Sequence, residues 1–401
     1  MRRSFLWVII PLFVLACALE GALVAYHFTH LKPDTSALLR QGSEAIRSGN
    51  YDLAIHDYSE VLKTDPQSWA AFDGRGVAYA WKKDYDQAIA DYDSALAIRS
   101  NDATTYYNLG LAYDGKRDEQ TALRKYNMAI LLRTNYPQAY VMRGHIYARM
   151  KDYDRALADF QQAEQDDPQM ADAYYDAGYV HASKKEFQDA ITEYGKAIDR
   201  YTLVDEHLPH AYLSRAAAYR HLGNYDAAMA DCNKVMTFDG RNSGAYVQRG
   251  YIYLAQHDEE KADSDFQHAF GLETGDKQSG LYNNVAWTLS TSPDDSLRDG
   301  KLALTYAQKA CELSSWQHPA DIDTLAAACA ETGDYANAVK WEQQYLATPN
   351  LTAKQIEDAK PRLGQYLAHQ PFRDGPFVLP KVTPPPPVTA APVTTPPSAT
   401  Q

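Results

Sequence analysis

A chain of 401 residues is long enough for two or three domains, and its charged and apolar fractions are those of a folded protein. Acidic residues outnumber basic ones 52 to 39, and the basic residues are scattered, which argues against nucleic acid as a partner. The four cysteines, Cys17, Cys232, Cys311 and Cys329, form no C-x-x-C pair, so neither a zinc ribbon nor a thioredoxin-like redox site is signalled. Thirty tyrosines are many for this length and need a structural reason.

The chain begins with residues 1–4, which include Arg2 and Arg3, followed by an apolar run over 5–28. Twenty-four helical residues span about 36 Å, enough for a hydrocarbon core of about 30 Å. Glu20 is the one charge in that run and costs about 2.5–3.5 kcal/mol at a helix centre. Three readings stay open: an uncleaved signal anchor, cleavage after Ala16-Cys17-Ala18, and lipid modification of Cys17. All three put the repeats outside the cytoplasm, on the periplasmic side in a bacterium, with residues 1–4 on the cytoplasmic side of segment 5–28, because no basic residue follows Arg3 until Lys32.

From residue 35 onward the sequence repeats itself. Glycine recurs at Gly42, Gly76, Gly110, Gly144 and Gly178; after a four-residue insertion Ala216 takes that place, then Gly250. A second series runs Ala54, Ala88, Ala122, Ala156, Ala190, Ala228, Ala262. Between the two lies a short polar turn, as in "SGNYDLA", "KKDYDQA" and "LGNYDAA", and Asp65-Pro66 and Asp167-Pro168 end two of the units. Each unit therefore reads as two amphipathic helices, over 35–68, 69–102, 103–136, 137–170, 171–204, 209–242 and 243–276. Two degenerate units follow over 279–350, the first with its inter-helix turn swollen by "STSPDDSLRDG". Residues 352–369 read as a polar-faced capping helix. Residues 371–401, rich in proline and threonine, read as a disordered tail, either a spacer or a docking peptide for a proline-reading domain. Most tyrosines fall in recurring slots, which makes them packing residues between helices.

A helix–turn–helix unit of this period with these glycine, tyrosine and alanine positions resembles the tetratricopeptide repeat. The resemblance implies an all-α, right-handed superhelical solenoid of about nine repeats, and the pair of degenerate units is similar to a C-terminal module of bacterial members. It also implies a protein–protein interaction scaffold whose first helices line a groove for an extended peptide or a partner helix. The groove slots here hold Tyr107, Asn108, Leu111, His145, Arg149, Tyr175, Tyr179, Tyr251, Asn283, Asn284 and Trp287. The lysine–asparagine clamp with which some members grip a C-terminal carboxylate is not matched, since its slots hold Leu39, Ser43, Asp73 and Val77.

Arginine precedes the glycine slot at Arg75, Arg143, Arg215 and Arg249, and an aspartate lies sixteen residues on in each case: Asp91, Asp159, Asp231 and Asp265. The two positions sit on the two helices of one unit, so they are expected to pair as a structural clasp rather than to do chemistry. Catalytic motifs are not matched: "GRGVAY" (Gly74–Tyr79) lacks the third glycine of a dinucleotide fingerprint, and His207 with His210 brings no third metal ligand. Cys311 and Cys329 fall on adjacent helices and read as buried small residues, with a disulfide in an oxidising compartment as the alternative. The sequence therefore points to a non-catalytic, membrane-tethered scaffold with a protein partner, without cofactor or metal. Two rivals are a carbohydrate- or cell-wall-binding solenoid, with Tyr175, Tyr179, Tyr251 and Trp287 stacking on sugar rings, and an accessory subunit of an envelope enzyme.

Overall fold

The computed structural model describes residues 35–374 apart from Val204. The expected membrane segment 5–28, and the tail beyond residue 374, lie outside them. Among the described residues the secondary structure is entirely helical, as expected, and no helix is long and apolar enough to cross a membrane.

First and second helices alternate along the chain: α1 (Thr35–Arg47) and α2 (Tyr51–Thr64), α3 (Trp69–Trp81) and α4 (Tyr85–Ile98), α5 (Ala103–Gly115) and α6 (Glu119–Leu132), α7 (Pro137–Arg149) and α8 (Tyr153–Asp166). Then come α9 (Ala171–Ser183) and α10 (Phe187–Ile198), α11 (His207–His221) and α12 (Tyr225–Phe238), α13 (Ser243–Ala255) and α14 (Glu259–Leu272). The degenerate repeats are α15 (Asp276–Thr291) with α16 (Gly300–Leu313), and α17 (Pro319–Glu331) with α18 (Tyr335–Leu346); α19 (Ala353–Leu367) follows. The chain divides into two compact units at Arg143/Gly144.

The turn between paired helices has one recipe. A residue with positive φ ends the first helix: Gly49, Lys83, Arg117, Lys151, Lys185, Gly223, His257 and Gly333. An Asp or Asn then caps the second helix, as Asp84 does by accepting from the Gln87 N–H and Asn224 by accepting from the Ala227 N–H; the fifth repeat is the exception, with Glu186 at the cap and no side-chain cap bond. Positive φ strains a residue with a side chain, so glycine at three of these places needs no further explanation. Helix α19 opens with a reciprocal capping box between Thr352 and Gln355.

Packing between paired helices rests on a close approach. A Cβ on Gly42, Gly76, Gly110, Gly144, Gly178 or Gly250 would lie 2.5–2.8 Å from the ring sixteen residues on: Tyr58, Tyr92, Tyr126, Phe160, Tyr194 or Phe266. No real Cβ sits that close, so the ring fills the space that glycine leaves. The sixth repeat solves the same contact differently, with Ala216 on α11 and Cys232 on α12, both buried in one cluster. In the ninth repeat the corresponding pair is Ala326 and Glu342, and the Glu342 side chain is fully buried.

The first unit has its core around Tyr58, Val77, Tyr92 and Leu109. In the second unit the largest cluster gathers Phe266, Phe270, Leu289, Tyr306, Leu325 and Tyr366, and includes Cys311 and Cys329 as buried thiols. The swollen turn of the eighth repeat is built into this unit rather than looped into solvent. It forms a 3-10 helix (Asp295–Leu297) that buries Leu297, and its Asp294 pairs with the buried Arg220 of α11 at 2.9 Å.

Candidate partner-binding face

The clasp residues meet as the spacing predicts in the three pairs that lie within one unit. Arg75 donates through Nε and Nη2 to the two Asp91 oxygens at 2.8 and 2.7 Å. Arg215 meets Asp231 at 2.8 and 2.8 Å, and Arg249 meets Asp265 at 2.7 and 2.8 Å, in the same two-pronged way. Each aspartate is buried, and the hydrogen bond it accepts holds its arginine above the ordinary guanidinium pKa. The remaining arginine nitrogen does something that the sequence reading missed. It reaches back to the second helix of the preceding repeat: Arg75 to Ser59 at 3.0 Å, Arg143 to Asn127 at 2.6 Å, Arg249 to Asn233 at 3.3 Å. In the sixth repeat that place is Gly195, which has no side chain to accept; a Cβ built there would lie 3.5 Å from the Arg215 Nη1. Arg75 and Arg249 thus each join three helices, with their nitrogens committed to structural contacts.

The expected groove residues separate into two kinds. Tyr107, Asn108 and Tyr251 are buried at 1%, 0% and 6% exposure, so they are packing residues and present no surface to a ligand. Tyr107 packs against Tyr126 and Tyr136, with ring centres 5.9 and 5.2 Å away. Tyr251 packs on Phe266, and burial raises its phenol to about 12 despite a hydrogen bond with Thr288. A first helix within the stack is covered by its neighbours, and a slot that would be open on one helix pair is closed by the next.

Leu111, His145, Tyr175, Tyr179, Asn283 and Trp287 are partly exposed, and Arg149 and Asn284 are exposed. In the second unit this row is held by side chains one repeat apart. His145 Nε2 lies 2.6 Å from Asp176 of α9, and the hydroxyls of Tyr175 and Ser214 of α11 are 3.3 Å apart. In the first unit Thr105 of α5 likewise donates to the buried Asp73 of α3 at 2.8 Å. Burial drives the Asp73 carboxyl up to about 6, with the Thr105 bond opposing it.

Trp287 of α15 is partly covered by the chain itself. Phe372 lies 6.0 Å from its ring, and its Nε1–H donates to Asp374 at 2.7 Å. Residues 371–374, counted with the tail in the sequence, are therefore seated on the first-helix face of the last repeats. Below them Arg362 of α19 donates to both oxygens of Asp323 at 2.8 and 2.9 Å and to Glu342 at 3.3 Å. Burial, then the neighbouring Asp323 charge, pushes the Glu342 carboxyl up to about 8.

One group of possible metal ligands occurs among the described residues: His181, Glu186 and Asp189, with ligand atoms within 4.8 Å of one another. Glu186 already pairs with His181 at 2.8 Å and Lys184 at 3.1 Å, so its charge is committed. His207 of the "HLPH" stretch instead faces Asp172 at 3.6 Å.

Profiles of the tetratricopeptide repeat match residues 39–103 and 141–203, and a second such profile matches 209–242 and 243–275. Among solved structures, a tetratricopeptide repeat protein from Parabacteroides merdae is 22% identical, with a TM-score of 0.47 over 62% of this chain and 96% of that one. MamA protein is 26% identical, with a TM-score of 0.38 over 41% of this chain and 91% of that one. YrrB, described as a tetratricopeptide repeat protein with an unusual peptide-binding site, is 18% identical, with a TM-score of 0.39 over 47% of this chain and 95% of that one.

Proposed function

Since the chain is a tetratricopeptide-repeat protein, we propose that it works as a non-catalytic scaffold, docking a peptide or helix of another protein on the face made by its first helices. The observation that carries this reading is the row on α7, α9 and α11. His145 and Tyr175 are fixed there by Asp176 and Ser214, beside the partly exposed Tyr179 and the exposed Arg149. Side chains locked before binding lose little entropy when a ligand arrives, and tyrosine and arginine supply most of the anchoring contact in protein interfaces. The N-terminal apolar segment 5–28 would tether the array to a membrane and hold it on the periplasmic side. The sugar-stacking alternative is weakened by the burial of Tyr251, which removes one of its four rings, and by Phe372 lying against part of Trp287.

Full-length protein, gently solubilised and cross-linked, tests this by mass spectrometry against an Arg149→Glu, Tyr179→Ala variant. A protein recovered with the native chain and lost with the variant is the expected result. Equal recovery from both overturns the assignment of this face.

A further inference from the structure

After α19 the chain reverses. His369 takes a positive φ and stacks on Tyr335 with ring centres 5.0 Å apart, and the Gln370 N–H closes onto the Gln365 carbonyl at 2.9 Å. The next residues have no regular secondary structure, yet three in succession are read side chain by side chain. Phe372 lies beside Trp287 of α15, and the Arg362 guanidinium of α19 stands over both rings at 5.6 and 5.8 Å. Arg373 pairs with Glu331 of α17 at 2.6 Å and donates to the Ser290 carbonyl at 3.3 Å. Asp374 accepts from the Trp287 indole, while its own N–H donates to the Thr291 carbonyl at 2.8 Å.

Leu289, Leu325 and Tyr366 in the core beneath are buried to 1% or less; Phe372 packs against their cluster but remains partly buried, and Asp374 is exposed. Glu331 also pairs through its other oxygen with Arg298 of the swollen turn at 3.2 Å, which fixes its orientation. An aromatic slot, a carboxylate, an indole donor and a free backbone carbonyl form a set that selects one order of side chains along an extended strand. This is the arrangement of a peptide ligand in its site, with the ligand supplied by the same chain.

We propose that the face between α15, α17 and α19 is a docking site for an extended protein segment carrying consecutive aromatic, arginine and aspartate residues. In this chain Phe372–Asp374 fills it as a displaceable competitor. The inference rests on the docking reading given above and specifies the partner for the C-terminal repeats. A segment tethered a few residues from its site has an effective concentration of order millimolar, so an incoming segment of the same pattern must bind tightly or act with a second contact.

The test uses the full-length protein in detergent and a fluorescein-labelled peptide of the sequence AHQPFRDGP. The Phe372→Ala, Arg373→Ala, Asp374→Ala chain should bind the peptide saturably, and the native chain about tenfold or more weakly. A peptide with Arg and Asp exchanged should not bind, and Glu331→Gln or Trp287→Ala in the strap-free chain should abolish binding. Equal affinity for both chains, or no saturable binding by a strap-free chain whose α15–α19 amides keep their protection from exchange, overturns the proposal. Loss of that protection in the strap-free chain also overturns it, because the segment would then be a structural cap. If partner capture through Arg149 and Tyr179 persists while the peptide fails, only the C-terminal site is refuted.

Discussion

Arg215 and Asp231 face each other across α11 and α12 in a two-pronged pair, with side-chain exposures of 21% and 8%. The guanidinium brings its charge from a half-open position, whereas the carboxylate is nearly closed off from water. The asymmetry decides which deletion hurts. Removing the arginine strands a buried anion, at a cost on the order of 2–4 kcal/mol, between the values for exposed and fully buried pairs. Arg215→Met should therefore lower amide protection in α11 and α12 strongly. In an Asp231→Leu background the same substitution should cost about 1 kcal/mol or less. Equal losses in the two backgrounds would show that the pair is decoration.

The contact between the glycine slot and its ring gives a second test, because the sixth repeat holds Ala216 and Cys232 where others hold glycine and an aromatic. Cys232→Tyr alone would press a ring into the Ala216 methyl, and overpacking of this kind costs about 1–3 kcal/mol. Adding Ala216→Gly should recover most of that loss. A double variant no more stable than Cys232→Tyr, measured by hydrogen exchange across α11 and α12, would mean that the two slots are not a matched pair.

Glu342 occupies the ring slot of the ninth repeat, and its carboxyl titrates near 8 in the fold against about 4.3 in an unfolded chain. Between those values the folded state holds a proton that the unfolded state has released. Stability of the α17–α19 end is then greatest below pH about 4.3 and declines as pH rises toward 8. The partly buried Asp323 beside it is raised in the same direction, again by burial first, and Arg362, Tyr345, Tyr366 and Asp374 are polar groups that also face the pair. Glu342→Gln should flatten the fall in α18 and α19 amide protection between pH 5 and 8; an unchanged slope would assign the dependence elsewhere.

How much could be read from the sequence follows from repetition. The glycine and alanine series, the turn and the arginine–aspartate spacing each occur several times, so chance agreement averages out and the helix pairs, turns and clasp become legible. The third contact of the arginine was missed because its acceptors vary, with Ser59, Asn127 and Asn233 sharing a position but not a residue type. Features that occur once leave no period to find. Asp294 meets Arg220 across 74 residues, and Asp374 meets Trp287 across 87, with nothing nearby in sequence to pair them. Helical spacing puts Tyr107, Asn108 and Tyr251 on the face of their own helices that would be open, because it tells which side of one helix a residue is on. It does not tell how closely the next helix covers that side.

The glycine–ring contacts and the clasps all close over sixteen residues. Such an array has low contact order, and each helix pair can assemble on its own stretch of chain before its neighbours arrive. The Arg373–Ser290 and Asp374–Trp287 contacts close over 83 and 87 residues. They should be the last to form as the chain folds and the first to open by local fluctuation. The final step of folding and the first step of admitting a partner would then be one motion run in opposite directions.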